Sequence, residues 1–352
     1  MEVKDKNYGI SPSSNIPVDQ FKYAEATETK KLGRAHGKGV FINLSGSLMA
    51  TFASGTATMK AGGILKNILS AIQIKDAKGD LVITTVGQAR FHSRRMNGKE
   101  APSLYQANSA TLSSPTVGLY SGNFTTAQSV AIQESIYIPF ECEIAEANFL
   151  DTLLRFNGRD DNTIKLVLEK LNNILDPAST AVVVWTNSLV FDINLMTAEH
   201  SGPGHRWVRS YKEESVVAST PKRSIDISNV ENLAGVMFEI TTGSGAVRTP
   251  ITFAQAQLIV VNVIAKERST GRTVVIRQDE TLASLAYNDL NKKKIDSLVD
   301  GYSYLNLING NMLASALPNN FSEIMVNFNF PSTLSFANPY NARVYIDDID
   351  LE

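Results

Sequence analysis

The sequence predicts a fold dominated by β-strands, built as two consecutive β-sandwiches of about eight strands each with a few short helices. The first observation behind this is period-2 alternation, which puts apolar groups on one face of a strand and polar groups on the other. Along the first long strand the apolar parity holds Val40, Ile42, Leu44, Leu48, Ala50 and Phe52, and the polar parity holds Asn43, Ser45, Ser47 and Thr51. The second observation is that the order strand, short helix, strand, strand recurs near the end of each half of the chain. Many short strands separated by turn residues are typical of sandwiches.

In the first half, residues 40–53 form the first predicted strand, and residues 64–74 and 81–85 form the next two. A short helix over 86–96 ends before Gly98, as a glycine cap favours. Residues 101–122, rich in Ser, Pro, Asn and Gly, predict a long loop. Further strands are predicted at 130–140, 164–168, 182–186 and 189–195, and a short amphipathic helix around 149–154.

Gly202-Pro203-Gly204 marks the best domain boundary. We therefore expect an N-terminal arm over 1–38, a first sandwich over 39–197, a linker over 198–205 and a second sandwich over 206–352. The second sandwich is predicted to contain strands at 224–227, 235–241, 258–265, 272–276, 302–308, 324–330 and 344–351, a helix over 279–299 and a helical turn over 312–317. The strand at 258–265 is nearly all apolar, which predicts burial on both faces. Trp185 is expected in a core and Trp207 between the domains.

Composition excludes several classes of protein. A net charge of −2 argues against a dedicated nucleic-acid-binding protein, which usually carries a strongly basic domain. Cys142 is the only cysteine, so no intrachain disulfide forms. The first residues contain no apolar signal-peptide segment, and the longest apolar stretch is far shorter than the roughly 20 residues of a membrane span. We therefore expect a soluble protein that stays in the cytoplasm where it is made.

The N-terminal arm shows no apolar periodicity and ends in a basic group, Lys30, Lys31, Arg34, His36 and Lys38. Two interpretations stay open for it. The arm is either a solvated tail or a segment that orders on assembly and contacts an anionic surface such as lipid headgroups or a genome.

No pattern in the sequence indicates catalysis, a cofactor or a metal. The four histidines are scattered, and the HExxH and paired-cysteine zinc patterns are absent. The segment GRAHGKG at 33–39 lacks the spacing and the Ser or Thr of a phosphate-binding loop. Asp347, Asp348 and Asp350 crowd the last strand, and Asp160 adjoins Asp161 in a turn. Such clusters hold calcium in some proteins, but a solvated set of charges that protects a sheet edge is favoured here.

The order of these segments resembles a known family over residues 39–352. A basic arm precedes GVFINLSGSLMATF and TMKAGGILKNILSAIQIKD, and then come SIYIPF, NFLDTLL, NTIKLVLEKL and TAVVVWTNSLVFDINL. A second set ends in SYLNLI, MLASALP, SEIMVNFNF and ARVYIDDIDL. This resembles the double jelly-roll major capsid proteins of tailless icosahedral viruses, the lineage of adenovirus hexons and membrane-containing bacteriophages, including small lipid-containing phages.

The resemblance implies two eight-stranded jelly rolls and a homotrimer of pseudo-hexagonal outline. Trimers tile the virion shell over an internal membrane that the arm contacts, with minor capsid or vertex proteins as further partners and no specific recognition of nucleic acid. It implies no enzyme activity and no cofactor. The protein would reside in the host cytoplasm before assembly and in the virion afterwards.

Two other functions compete with this one. A carbohydrate- or receptor-binding sandwich protein needs an exposed aromatic platform, whereas only 8% of the residues are aromatic and most have core parity. A cupin-type enzyme needs clustered histidines with a carboxylate around a metal, whereas the four histidines of this sequence are scattered.

Overall fold

The computed structural model describes residues 15–32, 37–76, 78–97, 103–140, 162–197, 206–244, 247–293, 301–307, 317–318 and 320–350. The elements before residue 198 are β1 (Asn15–Lys22), β2 (Thr27–Lys31), β3 (Gly37–Thr51), β4 (Ala57–Thr58), α1 (Gly63–Ile68), β5 (Leu69–Asp76), β6 (Gly79–Thr84), α2 (Val86–Asn97), β7 (Leu104–Ala107), β8 (Thr116–Val117), β9 (Asn123–Phe124), β10 (Gln128–Pro139), β11 (Thr163–Leu168), a 3-10 turn (Leu171–Ile174), β12 (Val184–Asn187) and β13 (Val190–Thr197). Within the residue ranges given above, no helix is long and apolar enough to cross a membrane.

The elements after residue 205 are β14 (Arg206–Val216), β15 (Lys222–Asp226), β16 (Asn232–Ser244), β17 (Val247–Pro250), α3 (Phe253–Ala256), β18 (Val260–Glu267), β19 (Thr273–Thr281), α4 (Leu282–Lys293), β20 (Tyr302–Asn306), β21 (Leu317–Pro318), β22 (Phe321–Asn329) and β23 (Tyr340–Asp350). The predicted linker at 198–205 and the predicted helix at 149–154 lie outside the described residues.

The first sandwich packs a seven-stranded sheet against one half of a ten-stranded sheet. The seven-stranded sheet has the order β1-β13-β3-β10-β7-β8, with β12 also paired to β3, and the opposing strands run β6-β5-β11-β2. Apolar residues of one parity in β3, β10 and β13 meet those of β5 and β11 in a single buried cluster. Each of these antiparallel sheets buries one face against the other sheet and leaves its second face on the outside of the sandwich.

The second sandwich packs the other half of the ten-stranded sheet, β17-β16-β23-β14, against a four-stranded sheet of order β15-β22-β18-β19. Its core is a separate buried cluster that includes Phe238, Phe328 and Tyr340. The two halves of the ten-stranded sheet meet where β14 lies parallel to β6, with Arg209 paired to Val82. The prediction of two jelly-roll sandwiches with few helices is confirmed.

Residues 15–32 correct the expectation of an irregular arm over 1–38. β1 pairs with β13, and β2 pairs with β11, so both strands are integral to the first sandwich. The sequence hid them because Pro17 interrupts the ladder of β1 with a register shift, and β2 reads TETKK, with no apolar residue at all. Pro and charged residues of this kind are typical of edge strands, which both are.

Several other boundaries also differ from the predictions. Residues 63–68 form α1 and not the first part of a strand, and short strands β7 and β8 lie within the predicted loop at 101–122. β18 is internal to its sheet but alternates between buried and half-buried positions, so it is not buried on both faces. Residues 279–281 belong to β19, and α4 begins at Leu282, where the Thr281 hydroxyl accepts a hydrogen bond from the Ser284 N–H as an N-cap does.

One charged residue occupies the apolar parity of β10. Glu134 is 1% exposed and lies between core residues Ile132 and Ile136. Its carboxylate accepts hydrogen bonds from the N–H groups of Ile64 at 2.7 Å and Leu65 at 2.9 Å, at the start of α1. Arg90 of α2 completes the site with an ion pair of 3.0 Å. Glu134 therefore joins both helices to the sheet.

Candidate assembly surfaces

An aromatic cluster separate from both cores joins the two sandwiches. Trp207, on β14, is 1% exposed. It packs with Tyr304, Tyr345 and further residues of the second sandwich and with Phe91 of α2 from the first. The ring of His92, also on α2, lies 5.7 Å from that of Trp207 at an interplanar angle of 89°, an edge-to-face arrangement that aromatic pairs favour. The prediction that Trp207 packs between the domains is confirmed, whereas Trp185 is only half-buried beside the first core.

Arg209 crosses the same boundary two residues further along β14. Its guanidinium lies 4.0 Å from the centre of the Trp207 ring, within the range of a cation–π interaction. It also donates a hydrogen bond from Nη2 to the backbone carbonyl of Pro139, at the end of β10 in the first sandwich. A buried arginine is thus held by partners from both sandwiches.

A hydrogen-bonded ionic network lies beside the aromatic cluster. Arg343 donates to Glu213 Oε2 from Nε at 2.9 Å and from Nη2 at 2.6 Å, and to Glu239 Oε2 from Nη1 at 3.1 Å. The hydroxyls of Tyr302 and Tyr345 each donate to Glu239 at 2.6 Å. Burial, followed by the nearby Glu239 carboxylate, raises the pKa of both tyrosines well above its usual value, so they stay protonated donors.

The network reaches the first sandwich and a small cleft. The hydroxyls of Tyr345 and Thr85 lie 3.1 Å apart, which links β23 to the residue before α2. Arg248 forms a second ion pair with Glu213, at 2.7 Å. A cleft of about 90 Å³ opens here, lined by Lys66 of α1 and by Arg248, Arg343 and Glu239 among others. Arg343 pairs with Glu239 and Arg248 with Glu213, so the cleft works as part of the joint between the sandwiches.

A third contact lies where the turn between β5 and β6 meets β14 and β23. Arg206 forms a bidentate pair with Asp76, both distances 2.7 Å, and a third bond of 3.1 Å to Asp350. Lys78 lies 3.7 Å from the same Asp350 carboxylate. Since Asp76 and Lys78 belong to the first sandwich and the other two to the second, these ion pairs fix the angle between the sandwiches.

The aspartates of the last strand do not form the solvated edge set expected from the sequence. β23 is an internal strand between β16 and β14. Asp347 is fully buried and accepts a hydrogen bond of 2.9 Å from the Tyr304 hydroxyl. Asp348 accepts from the N–H groups of Glu231 and Asn232 at 3.0 and 2.7 Å. The described part of the chain contains no group of three or more His, Cys, Asp or Glu side chains that could hold a metal ion, and Asp160 and Asp161 lie outside it.

The basic residues assigned to the arm do not form one cluster. Lys30 pairs with Asp19 at 2.8 Å and Glu28 at 3.3 Å, and its Nζ lies 4.8 Å from the centre of the Phe21 ring. The hydrogen bond to Asp19 raises the pKa of Lys30. Lys31 is exposed on the opposite side of β2, Lys38 is half-buried in β3, and Arg34 and His36 lie outside the described residues.

Lys31 instead joins a basic sheet face that the sequence analysis missed. Thr163 of β11 is paired with Lys31 on one side and Lys75 on the other, so these two lysines share a face. Lys165 stands two residues further along β11 on that face and is exposed. We call Lys31, Lys75 and Lys165 the basic face. One carboxylate adjoins it, that of Asp80 on β6, which lies 3.5 Å from the Lys75 ammonium group. Only the pairing of three strands reveals the basic face, because its residues are more than 40 positions apart in sequence.

Comparison with known proteins places the fold. No family model and no curated protein sequence matches the chain. Among solved structures, the chain is similar to the major capsid protein of Sulfolobus Turreted Icosahedral Virus, with a TM-score of 0.61, 9% identity, and 96% of each chain covered. It is also similar to the major capsid protein P2 of bacteriophage PM2, with a TM-score of 0.53, 8% identity, and coverage of 96% of this chain and 97% of that one. The chain therefore has the fold of double jelly-roll major capsid proteins.

Proposed function

We propose that this chain is the structural major capsid protein of an icosahedral virus. Three copies form a pseudo-hexameric trimer, and trimers tile the shell. The observation that carries the proposal is the extent of the likeness, since 96% of this chain aligns with nearly the full length of two capsid proteins. Both sandwiches are included in that match.

The joint between the sandwiches supports this role. A subunit that supplies two sides of a hexagonal outline must hold its sandwiches at one fixed angle. The aromatic cluster around Trp207, the Arg343 network and the Arg206 ion pairs all cross or flank the boundary. Buried aromatic, hydrogen-bonded and ion-paired contacts of this kind favour a single geometry. We assign the protein no catalytic step and no cofactor.

The basic face supports a contact with an anionic surface. Lys31 and Lys75 lie at the ends of β2 and β5. In this proposal that end of the first sandwich faces the interior of the particle, where these two lysines and Lys165 meet lipid headgroups of an internal membrane, with Lys30 and Lys38 on strands of the same sandwich. Each lysine near an anionic bilayer contributes about 1 kcal/mol of attraction. Neighbouring trimers and minor capsid or vertex proteins would then complete the shell. The protein would pass from the host cytoplasm to the virion.

Electron microscopy of the purified protein tests the proposal. Class averages of the assembled species should show six lobes in a pseudo-hexagonal outline, two for each of three chains. Averages with two lobes at all concentrations, from a single chain with two sandwiches, would contradict it. A glycan array run on the same preparation checks the competing receptor-binding function, for which we expect no reproducible ligand.

A further inference from the structure

Apart from Lys22 on the edge strand β1, the outer face of the seven-stranded sheet carries almost no charge. We call the outward parity of β3, β7, β8, β10, β12 and β13 the low-charge face. Within the described residues, Asp192 is its only ionisable carboxylate or cationic side chain. The solvated face of an antiparallel sheet is ordinarily polar and charged, and the opposite sheet of this sandwich has its basic face of Lys31, Lys75 and Lys165. The two outer sides of one sandwich therefore differ in charge, and the low-charge face is the side that lacks the usual charged residues.

Large apolar and aromatic side chains share this face with uncharged polar ones such as Asn43, Ser45 and Gln133. The rings of Phe41 and Tyr137 lie 4.6 Å apart on neighbouring strands, and the Tyr137 hydroxyl lies 3.7 Å from the sulfur of Met196 on a third strand. Val117 of β8 is 79% exposed and Val184 of β12 is 66% exposed, both on the outward parity. Tyr, Phe and Met are enriched, and charged residues are depleted, in the centres of protein–protein interfaces.

The size of the face fits a stable contact between proteins. β3 has 15 residues, and at about 3.3 Å per residue it is roughly 50 Å long. Five strands placed about 4.8 Å apart span roughly 19 Å. Because the other strands are shorter than β3, the six strands together hold 45 residues. At about 3.3 Å by 4.8 Å per residue they cover roughly 700 Å², close to the ~800 Å² that each partner contributes to a standard interface.

We infer that the low-charge face is the surface through which one copy of this chain contacts the next. The occupant is a second copy because the face has the area and composition of a stable interface between folded subunits. In a closed ring of copies, the low-charge face of one copy contacts a different surface of the next copy. Each copy therefore offers its low-charge face for one contact only. This inference rests on the proposed capsid function and adds the sheet face that makes the contact.

Charge substitutions at exposed positions test the inference. Ser45 of β3 and Gln133 of β10 are exposed and directly paired across the strands. Ser45→Lys or Gln133→Lys would place an unpaired charge in the contact, which is costly when buried. Thr27→Lys is the matched control, because Thr27 is an exposed residue of β2 on the opposite sheet and is paired with the uncharged Val167. Circular dichroism verifies that all three variants fold.

The readout is the mass of the protein across a dilution series. We expect each face variant to dissociate at a concentration at least about tenfold higher than wild type does, and the control to match wild type. Oxidative footprinting of Phe41, Met49 and Tyr137 should show protection in the assembled wild type. If wild type assembles but the face variants dissociate as it does and the footprint is unprotected, a different surface makes the contact. If wild type stays a single chain throughout, the proposed function fails as well.

Discussion

The carboxylate of Glu134 offers a sharp test of how the first sandwich is held together. It accepts three hydrogen bonds, from the N–H groups of Ile64 and Leu65 and from Arg90, while only 1% exposed. Glu134→Gln keeps the shape of the side chain. It leaves a single carboxamide oxygen for three donors and removes the charge that balances Arg90.

The expected cost follows from the hydrogen bonds and the ion pair that this substitution breaks. A hydrogen bond to a charged group contributes about 1.5–3 kcal/mol, and two of the three are removed or weakened. Breaking a buried ion pair by removing one partner costs about 3–5 kcal/mol. We therefore expect Glu134→Gln to lower the free energy of unfolding by about 3–5 kcal/mol. In a domain of this size that corresponds to a melting temperature roughly 6–20 °C lower.

Thermal and urea unfolding of the purified variants measure this. Glu214→Gln is the matched control, because Glu214 is an exposed carboxylate of β14, and such substitutions change stability by less than about 0.5 kcal/mol. In a double-mutant cycle with Arg90→Met, the two changes should cost clearly less together than the sum of the single effects. A loss below about 1 kcal/mol for Glu134→Gln, or additivity in the cycle, would refute the reasoning.

Three further predictions concern the joint and the basic face. Trp207→Ala should lower stability by about 3–5 kcal/mol because a fully buried ring is removed, whereas Tyr287→Ala, at a 55% exposed position, should change it little; equal melting shifts would contradict this. Burial alone would raise the pKa of Glu213, but the Arg343 and Arg248 guanidinium groups outweigh it and hold that pKa below the ordinary 4.5. The stability that Glu213 contributes is therefore complete above about pH 4.5 and is lost as the pH falls through the lower folded-state pKa. Urea unfolding between pH 3 and 6 should show a shallower acid loss for Glu213→Gln, and an unchanged slope would count against the network. Lys31→Glu with Lys165→Glu should weaken sedimentation with anionic vesicles but not alter behaviour with zwitterionic ones, with Lys222→Glu on β15 as the control; equal binding by all variants would rule out the basic face.

The sequence predicted strands well where one face meets a core and the other meets solvent. β3, β10 and β22 alternate clearly because their two faces have different surroundings. β14 was missed because the face that should look apolar carries Arg209 and Glu213. Arg209 donates a hydrogen bond to the Pro139 carbonyl, and Glu213 forms ion pairs with Arg343 and Arg248. All three partners are far away in sequence. Local hydrophobic periodicity cannot reveal such long-range pairing.

The same limit applies to the sites. α1 reads as an apolar strand locally, and its start is fixed by Glu134, about 70 positions further along the chain. Asp347 looks like a surface charge until the Tyr304 hydroxyl is placed beside it by β16 and β20. The basic face and the low-charge face are properties of strand register, so no window of the sequence contains them. Trp207 was predicted correctly because a large aromatic beside a domain boundary has few other places to pack.

The mass of the purified 352-residue chain in solution tests the central claim most directly. The account predicts a species of about 115 kDa, three times the 38.4 kDa of one chain, that persists on dilution to nanomolar concentrations. A single species of 38.4 kDa at every concentration would contradict it.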